Sequence, residues 1–441
     1  KPLNGGTQRT LSTTTAANCY TFLNLAADEQ GLYYYSIDGF SSTIPRGIHF
    51  RPAGSPYDPP QLITPIGTGQ FPIGESRLAL SATHVYWLTS NQTLLRAPRD
   101  GSGGIQTVAN TAASPTDLLV VGDLVYWLDS SGLWQTNVTN CSALPCAKTR
   151  LETTTGSHLL FRRDGFLLSY QIYWVEYGAP QEIKRRACTT VIEIGGGVRE
   201  VCTTNTLYSA PTDHDWQIGR PTTDGNALFW KEYYLEFGGT SDGRLRRRSI
   251  GGVLGPVEDI AVNLGLGAGP AELYNGEVYF GEAGIKKLPY NAAPIVRDIT
   301  AVALEVTQGI QSLNNDVPLV AHKPTYVRGY RGQNSGPAAA AVAARLVGLR
   351  GSTPLPGSPL NSINGTQGSS TGAGFDRAVR DAGWLFQLPN SWTNDGSITL
   401  RLEVDPQQSY SDPNRGNNTL SRTVSFQDKA PICTVFVPVR T

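Results

Sequence analysis

Leu124-Val125-Tyr126-Trp127-Leu128-Asp129 is the stretch that decides the fold, because near copies of its aromatic centre recur along the first two thirds of the chain. The copies are 40 to 56 residues apart, and each is a short run of β-branched and aromatic residues bounded by Gly, Asn, Asp or Ser. Such runs are typical of strands, and a regular spacing indicates one supersecondary unit used repeatedly. The copies are Tyr33–Tyr35, Val85–Trp87, Val125–Trp127, Ile172–Trp174, Leu228–Trp230 and Val278–Phe280.

This repeat predicts a six-bladed β-propeller over residues 18–298, with residues 1–17 as a tail or as a strand that closes the ring. Each sheet of a propeller is covered by two neighbours, so its second strand tolerates consecutive large residues. We therefore predict that Trp87, Trp127, Trp174 and Trp230 pack between blades. The competing interpretation is a stacking platform for sugars or bases.

The pattern changes at Ile299, after which the strands are longer and more widely spaced. Six or seven alternating strands over residues 299–428 predict an immunoglobulin-like β-sandwich, so the expected fold class is all-β throughout. The polar stretch Gly351 to Gly374 is expected to be a surface loop. Residues 429–441 are expected to form a linker and a further strand, which either pairs with a sheet in this chain or in another copy or begins a further domain.

The composition excludes some partners and favours export. Lys plus Arg and Asp plus Glu both number 36, so no global field attracts nucleic acid or an anionic membrane. No apolar run approaches the roughly 18 residues of a membrane span. The chain contains no Met, as expected of a secreted product without its signal peptide or of a fragment.

The cysteine spacing also predicts an oxidising compartment. Cys188 and Cys202 flank a triple-Gly turn between two strand patterns, which can bring them opposite each other on a hairpin. Cys141 and Cys146 form a second local pair, whereas Cys19 and Cys433 are left either to bridge the chain ends or to stay free. Zinc is the competing interpretation, but no matching His completes four ligands at the usual spacing.

Two resemblances follow from these residues. Tyr86-Trp87 followed by Leu95-Arg96-Ala97-Pro98, with Tyr126-Trp127-Leu128-Asp129 as the closest copy, resembles the six-bladed YWTD-type propellers. That resemblance implies binding of protein or peptide partners without chemistry. Other six-bladed propellers are hydrolases, so the fold alone does not decide the function.

The second segment resembles the CARDB-like, cell-adhesion-related modules of secreted bacterial proteins. The residues that carry the resemblance are Leu304–Gln311, Val317–Arg328 and Asp412–Thr419. The same pattern is similar to the module that precedes the catalytic domain in some large secreted bacterial metallopeptidases. This chain departs from those enzymes because it has no HExxH.

Three motifs suggest catalysis or ligand binding, but each is a weak indication. Gly239–Gly243 fits G-x-S-x-G around Ser241, but a nucleophile elbow needs a following helix and a strand is expected there. Gly265–Gly269 opens no helix and carries no Lys, so it is not expected to bind phosphate. Asp213-His214-Asp215 is the one metal-like cluster, and neighbouring residues of a strand point to opposite faces. We expect no catalytic residue, metal or cofactor.

Basic residues on the third strands of two neighbouring blades form a candidate ligand surface for an acidic glycan or protein, with a charged, solvated sheet edge as the alternative. Five asparagines lie in N-x-S/T context, which marks surface sites only in a glycosylating organism. The asparagines are Asn91, Asn137, Asn140, Asn364 and Asn417; the basic residues are Arg244, Arg246, Arg247, Arg248, Lys184, Arg185 and Arg186.

The sequence therefore predicts a secreted or cell-surface, non-catalytic binding or adhesion protein of bacterial type. Its expected partner is a protein or a glycan, and the strand at Ala430–Thr441 suggests a homo-oligomer or an extracellular filament. The alternative is the ancillary N-terminal region of a secreted metallopeptidase.

Overall fold

A computed structural model describes most of the chain as β-structure. The described residues are 21–37, 46–53, 60–73, 78–164, 169–193, 196–212, 215–235, 241–251, 253–262, 264, 271–281, 285–369, 371–372, 375–379 and 382–430. Within them the helical structure is two 3₁₀ turns, Asn390–Trp392 and Arg415–Asn417. The all-β fold class predicted from the sequence is confirmed. The tail at 1–17, Cys19 and the strand predicted within Ala430–Thr441 lie outside the described residues, apart from Ala430.

The chain divides into two compact units. Unit 1 comprises Lys1–Ala210 with Ile218–Gly225, and unit 2 comprises Pro211–Gln217 with Asn226–Thr441. Two short strands, Gln217–Ile218 and Thr222–Thr223, lie where the chain passes between the units. The predicted domain boundary at 298 falls inside unit 2, and the division into propeller and sandwich stays a prediction.

In the described part of unit 1 there are four sheets, each of four antiparallel strands joined in sequence order. The first sheet is Thr21–Ala27, Gly31–Ile37, Gly47–Pro52 and Gln61–Pro65; the second is Ala79–Leu80, His84–Leu88, Thr93–Pro98 and Gln106–Asn110. The third is Pro115–Val121, Leu124–Asp129, Gly132–Asn137 and Thr149–Glu152; the fourth is Gly156–Asp164, Ser169–Glu176, Glu182–Ile192 and Val198–Ser209.

Consecutive sheets of unit 1 share hydrophobic cores. Side chains of the first and second sheets form one cluster, those of the second and third another, and those of the third and fourth a further one. The tryptophans of the repeated stretch lie at the centre of these cores, with Trp87 and Trp127 fully buried and Trp174 exposed by only 1%. Their prediction as core residues is confirmed, and burial excludes them as a stacking platform.

Asp129 explains why the decisive stretch ends in a carboxylate. The side chain is fully buried, and its Oδ1 accepts hydrogen bonds from the backbone N–H and hydroxyl of Ser131 and from the indole of Trp134. Its Oδ2 accepts from the backbone N–H of Ala112. A buried carboxylate needs such donors, so Asp129 fixes both the turn at Ser130–Ser131 and the chain that enters the third sheet.

Unit 2 begins with two further antiparallel sheets. The fifth sheet contains Ala227–Leu235, Ser241–Ser249 and Val257–Ala261, and the sixth contains Glu272–Tyr274, Glu277–Gly281 and Ile285–Pro289. Their apolar side chains share one core, which includes Phe229, Leu245, Ile260, Val278 and Phe280. Trp230 is fully buried in this unit, again as predicted.

The remainder of unit 2 is built on two larger sheets that enclose one core. One sheet has the order Asp298–Thr307, Tyr326–Ser335, Trp384–Gln387. The other has the order Leu319–Val320, Thr419–Gln427, Gly396–Val404, Ala344–Arg350, Thr353–Pro354, with Leu360–Asn361 also paired to Ala344–Arg350. A small sheet pairs Ala339–Val342 with Gln367–Ser369.

Gly396–Val404 alternates buried and half-buried side chains, as expected for a strand with one face on a core. The predicted loop Gly351–Gly374 instead carries three short strands, because its Thr353, Leu360 and Gln367 segments pair with neighbouring strands.

Candidate binding surfaces

The two disulfides are the first features that bear on function. Cys188 and Cys202 stand directly opposite each other in the fourth sheet and are bonded, with their Cα atoms 4.1 Å apart. Cys141 and Cys146 are also bonded, with Cα atoms 5.2 Å apart. Both sulfur atoms of each pair are in a disulfide bond. The group formed by Cys188, Cys202 and Glu200 therefore offers no thiolate to a metal ion while the bond is intact.

The Cys188–Cys202 bond closes a hairpin that extends past its neighbouring strand. Glu182–Ile192 pairs with Val198–Ser209 along its whole length, but with Ser169–Glu176 only as far as Thr189. We call Thr190–Glu193 with Gly196–Val201 the hairpin arm. Four aliphatic side chains of the arm are exposed: Ile192 by 71%, Val198 by 69%, Val191 by 40% and Val201 by 39%.

The basic residues predicted as a ligand surface differ in burial. Arg244 and Arg246 are each only 1% exposed, so their interpretation as a solvated edge or a ligand surface is wrong. The reason lies in the register of the fifth sheet, which sets Arg244 opposite Glu232 and Arg246 opposite Asp259. Both carboxylates are buried and form ion pairs with these guanidinium groups.

A third buried arginine completes this network. Arg297 Nη1 lies 3.0 Å from Asp259 Oδ2, and Arg244 and Arg246 both donate to the carbonyl oxygen of Ser409. The guanidinium of Arg244 stacks over the ring of Trp216 at 4.0 Å. Burial alone would raise the pKa of Asp259, but the positive charges of Arg246, Arg244 and Arg297 outweigh it and hold that pKa below its ordinary value. The network is therefore structural.

The other basic residues are half-buried and paired. Arg247 bonds Glu258, the residue directly opposite it, and Arg248 donates to the carbonyl of Gly255. In unit 1, Lys184 lies 2.5 Å from Glu182, Arg186 pairs with Glu152, and Arg185 donates to Asn205. The two groups belong to different units, and the carboxylates beside them leave little net positive charge for an acidic partner.

The remaining motifs are also placed. Ser241 begins the strand Ser241–Ser249 and stands opposite Leu235, so a strand follows it and the nucleophile elbow is not formed. Gly239, Asp213, His214 and the run Gly265–Gly269 lie outside the described residues.

An open cleft of about 650 Å³ lies in unit 1 between the first and second sheets. Phe50 and Gln61 come from the first sheet, whereas His84 begins a strand of the second sheet and Thr83 and Asp100 lie in its turns. These residues are far apart in sequence and belong to no motif, which is why the sequence did not reveal them. The one local signal is the turn at Asp100-Gly101, where Gly101 has φ +71.

Arg99 holds the inner wall of this cleft. Its Nε donates to the hydroxyl of Tyr33 at 3.0 Å, its Nη2 lies 2.5 Å from Asp28, and its Nη1 donates to the carbonyl of Ser81. The guanidinium also covers the ring of Tyr33 at 4.7 Å. Arg99 is only 8% exposed. It joins the two sheets, and the carboxylate of Asp28 balances its charge.

The polar groups at the mouth of the cleft have defined protonation states. Burial, assisted by the charge of Arg96, lowers the pKa of His84 against the opposing effect of Asp100, so the imidazole is neutral at pH 7. Hydrogen bonds from Ser102 lower the pKa of Asp100, which is therefore ionised. The cleft thus presents a neutral ring, a carboxylate and amide groups around the half-buried ring of Phe50.

No protein-family model matches the chain, and no curated protein is significantly similar to it. Among solved structures it is similar to the computationally designed Ika8 protein, with 11% identity, a TM-score of 0.37, and coverage of 61% of this chain and 83% of that one. It is also similar to the extracellular domain of a hybrid two-component system from B. thetaiotaomicron, with 12% identity and a TM-score of 0.37. That match covers 92% of this chain and only half of the other.

The N-terminal domain of Nup159 is a further neighbour, with 8% identity, a TM-score of 0.29, and coverage of 91% of this chain and 86% of that one. Scores and identities this low carry no argument about function. Along the described part of the chain, no helix has the length and hydropathy that crossing a membrane requires.

Proposed function

We propose that this chain is a secreted or cell-surface, non-catalytic binding protein that contacts a protein partner through the hairpin arm. Two disulfides support an extracellular location, because such bonds form and persist in oxidising compartments. The observation that carries the proposal is the arm itself, whose aliphatic side chains Ile192 and Val198 are exposed by 71% and 69%.

An exposed apolar cluster favours association, because covering it removes apolar surface from water. Ile192 and Val198 are directly opposite each other in the hairpin, so their side chains lie on one face, which is also the face of Cys188 and Cys202. The disulfide fixes the two strands of the arm before any partner binds. Preorganisation of this kind lowers the entropic cost of binding.

The assignments of a propeller and of a sandwich module are part of the same proposal. The YWTD-type propeller and the CARDB-like module are supported by the meander sheets with buried Tyr-Trp pairs and by the two large sheets around one core. Adhesion, a bacterial source and assembly through Ala430–Thr441 extend the proposal on the sequence alone. The alternative, an ancillary region of a secreted metallopeptidase, rests on the resemblance of Leu304–Gln311 and predicts a peptidase domain with HExxH in the same gene product.

The test measures binding and turnover of the whole protein. We expect the wild type to bind fibronectin, laminin, collagen, fibrinogen or itself in biolayer interferometry and sedimentation velocity, and Ile192→Asp with Val198→Asp to weaken that binding at least tenfold. Ile285→Asp is the matched control, since Ile285 is an exposed aliphatic residue, at 80%, of unit 2. Equal binding by the arm variant, or no binding to any of these probes, contradicts the proposal.

An assay of substrate turnover tests whether the protein is non-catalytic, as proposed. We expect no hydrolysis of p-nitrophenyl acetate, p-nitrophenyl glycosides or a casein peptide library above background, in the wild type or in Ser241→Ala. Turnover that Ser241→Ala abolishes in a folded protein would show that the propeller-like part is an enzyme.

A further inference from the structure

We propose that the cleft of unit 1 is a binding site for a neutral oligosaccharide. The site lies between the first and second sheets and is independent of the hairpin arm. Its volume, about 650 Å³, lies within the range of small-ligand sites. Its lining combines an aromatic ring with side chains that both donate and accept hydrogen bonds.

The charges of the cleft argue against an anionic ligand. Arg99 is compensated by Asp28 and covered by the ring of Tyr33, so its charge is not presented to the cavity. His84 is neutral because burial lowers its pKa. Asp100 is ionised, and the partner that lowers its pKa most is Ser102, which brings no charge. Arg96, whose positive charge also lowers the pKa of His84, lies beside the same cleft and is opposite in charge to Asp100. The site therefore favours a ligand without net charge.

The polar groups suit hydroxyl groups in particular. Each sugar hydroxyl is both a donor and an acceptor, and the amides of Gln30 and Gln61 offer both functions to it. The carboxylate of Asp100 accepts from two donors and so can hold two adjacent hydroxyls. Thr83 Oγ1 lies 2.8 Å from His84 Nδ1, so the other imidazole nitrogen takes no part in this contact.

The apolar part of the lining suits the C–H face of a sugar ring. Phe50 is half-buried, and its ring lies 4.6 Å from that of Tyr33, which fixes its position. Pro98 lies on the opposite, second-sheet side. An aromatic ring supplies a large apolar surface at a low entropic cost, because it has only two side-chain torsions.

Hydrogen bonds hold the turns that carry these groups. The backbone N–H groups of Gln30 and Gly31 donate to Asp28, and the N–H of Ser102 donates to Asp100. Arg99 then connects the turn at Asp28 to the second sheet. Turns held by hydrogen bonds on both walls keep the lining residues at defined positions, which a binding site needs.

The test uses the full chain and an array of defined probes. The array carries neutral oligosaccharides of glucan, xylan, mannan and galactan type, their uronic-acid and sulfated counterparts, and a Lys-rich peptide. We expect the wild type to bind at least one neutral oligosaccharide, and titration calorimetry with that sugar to show at least tenfold weaker binding for Gln61→Ala and for Asp100→Asn. Asp123→Asn, an exposed carboxylate on another turn of unit 1, is the matched control and should bind like the wild type.

The possible outcomes separate cleanly. Binding of neutral sugars that survives both cleft substitutions places the site elsewhere and overturns the proposal. Preference for the Lys-rich peptide or for the acidic sugars overturns the ligand class. Melting temperatures within 2 °C of the wild type establish that a loss is not due to unfolding. Because the hairpin-arm variant keeps the cleft intact, it should bind the sugar normally, so failure of one proposal is distinguishable from failure of the other.

Discussion

Arg244 Nη2 and Glu232 Oε1 lie 2.5 Å apart, and neither side chain has more than 1% of its surface in contact with water. The same carboxylate also lies 3.4 Å from Arg246 Nη1. Glu232 therefore lies against two arginines, the second of which also pairs with Asp259. Both arginines also donate to the backbone of Ser409 in the loop between Gly396–Val404 and Thr419–Gln427. Within unit 2, the fifth sheet is thus fixed to that loop by charge-assisted hydrogen bonds.

Glu232→Ala should be strongly destabilising. The substitution leaves Arg244 without its carboxylate in a site that water does not reach, and breaking a buried pair in this way costs about 3–5 kcal/mol. Urea unfolding monitored by tryptophan fluorescence measures the change in free energy. The matched control is Glu258→Ala, which removes the half-exposed partner of Arg247 and should cost less than about 1 kcal/mol. Similar losses in both variants would contradict the structural role of the buried network.

The stability of unit 2 should fall in acid because of Asp259. Its pKa is lower in the folded protein than its ordinary value, since the positive charges of Arg246, Arg244 and Arg297 outweigh the effect of burial. A lowered carboxyl pKa stabilises the fold above the unfolded value of about 3.9, and this contribution is lost as pH falls through the folded pKa. The free energy of unfolding should therefore decrease below about pH 4, and less steeply in Asp259→Asn. Parallel pH profiles for the two proteins would refute this assignment.

Much of the fold could be predicted from sequence because the signal is local. Tyr126, Trp127 and Asp129 lie in one strand and its turn, and their types indicate a doubly covered strand without knowledge of any distant residue. The basic run from Arg244 to Arg248 looks instead like a solvated edge. Its true environment depends on Glu232, Asp259 and Ser409, the last of which is 163 residues from Arg246.

The candidate sites, too, could be predicted only where the signal is local in sequence. The pairing of the Cys188–Cys202 hairpin could be predicted from the two cysteines and the glycines between them, because a short loop between two strand patterns defines the pairing. The cleft could not, since Gln61 and Asp100 have no sequence relationship and meet only through the packing of two sheets. The strand opposite the basic run was not identified from the sequence either, although aligning Arg246-Arg247 antiparallel to Glu258-Asp259 sets opposite charges together.

Removing the Cys188–Cys202 bond should destabilise unit 1 more than removing the other disulfide. The bond closes a loop with a sequence separation of 14, which corresponds to about 3 kcal/mol of unfolded-state entropy. The Cys141–Cys146 bond has a separation of 5, which corresponds to about 2 kcal/mol. Paired Cys→Ser variants compared by urea unfolding give the two losses. Non-reducing peptide mapping gives the pairing, and free thiols at Cys188 and Cys202 would remove the basis of this prediction.

Gly348→Ala should be destabilising because Trp392 occupies the space that a side chain would need. Gly348 lies in the strand Ala344–Arg350, and a Cβ built there would come closer than 3.0 Å to three ring atoms of Trp392. The indole cannot easily retreat, since it is fully buried and its N–H donates to the carbonyl of Pro356 at 2.8 Å. Overpacking of this kind costs about 1–3 kcal/mol.

A double-mutant cycle identifies the cause of that loss. Trp392→Leu removes the ring atoms nearest Gly348, so Gly348→Ala should cost about 1 kcal/mol less in the Trp392→Leu background than in the wild type. Gly104→Ala is the control for a change in backbone entropy alone, because no atom lies within 4 Å of a Cβ at Gly104. Thermal and urea unfolding of the four proteins of the cycle measure the coupling. Additive losses would show that glycine is needed at position 348 for its backbone conformation and not for the space that it leaves to Trp392.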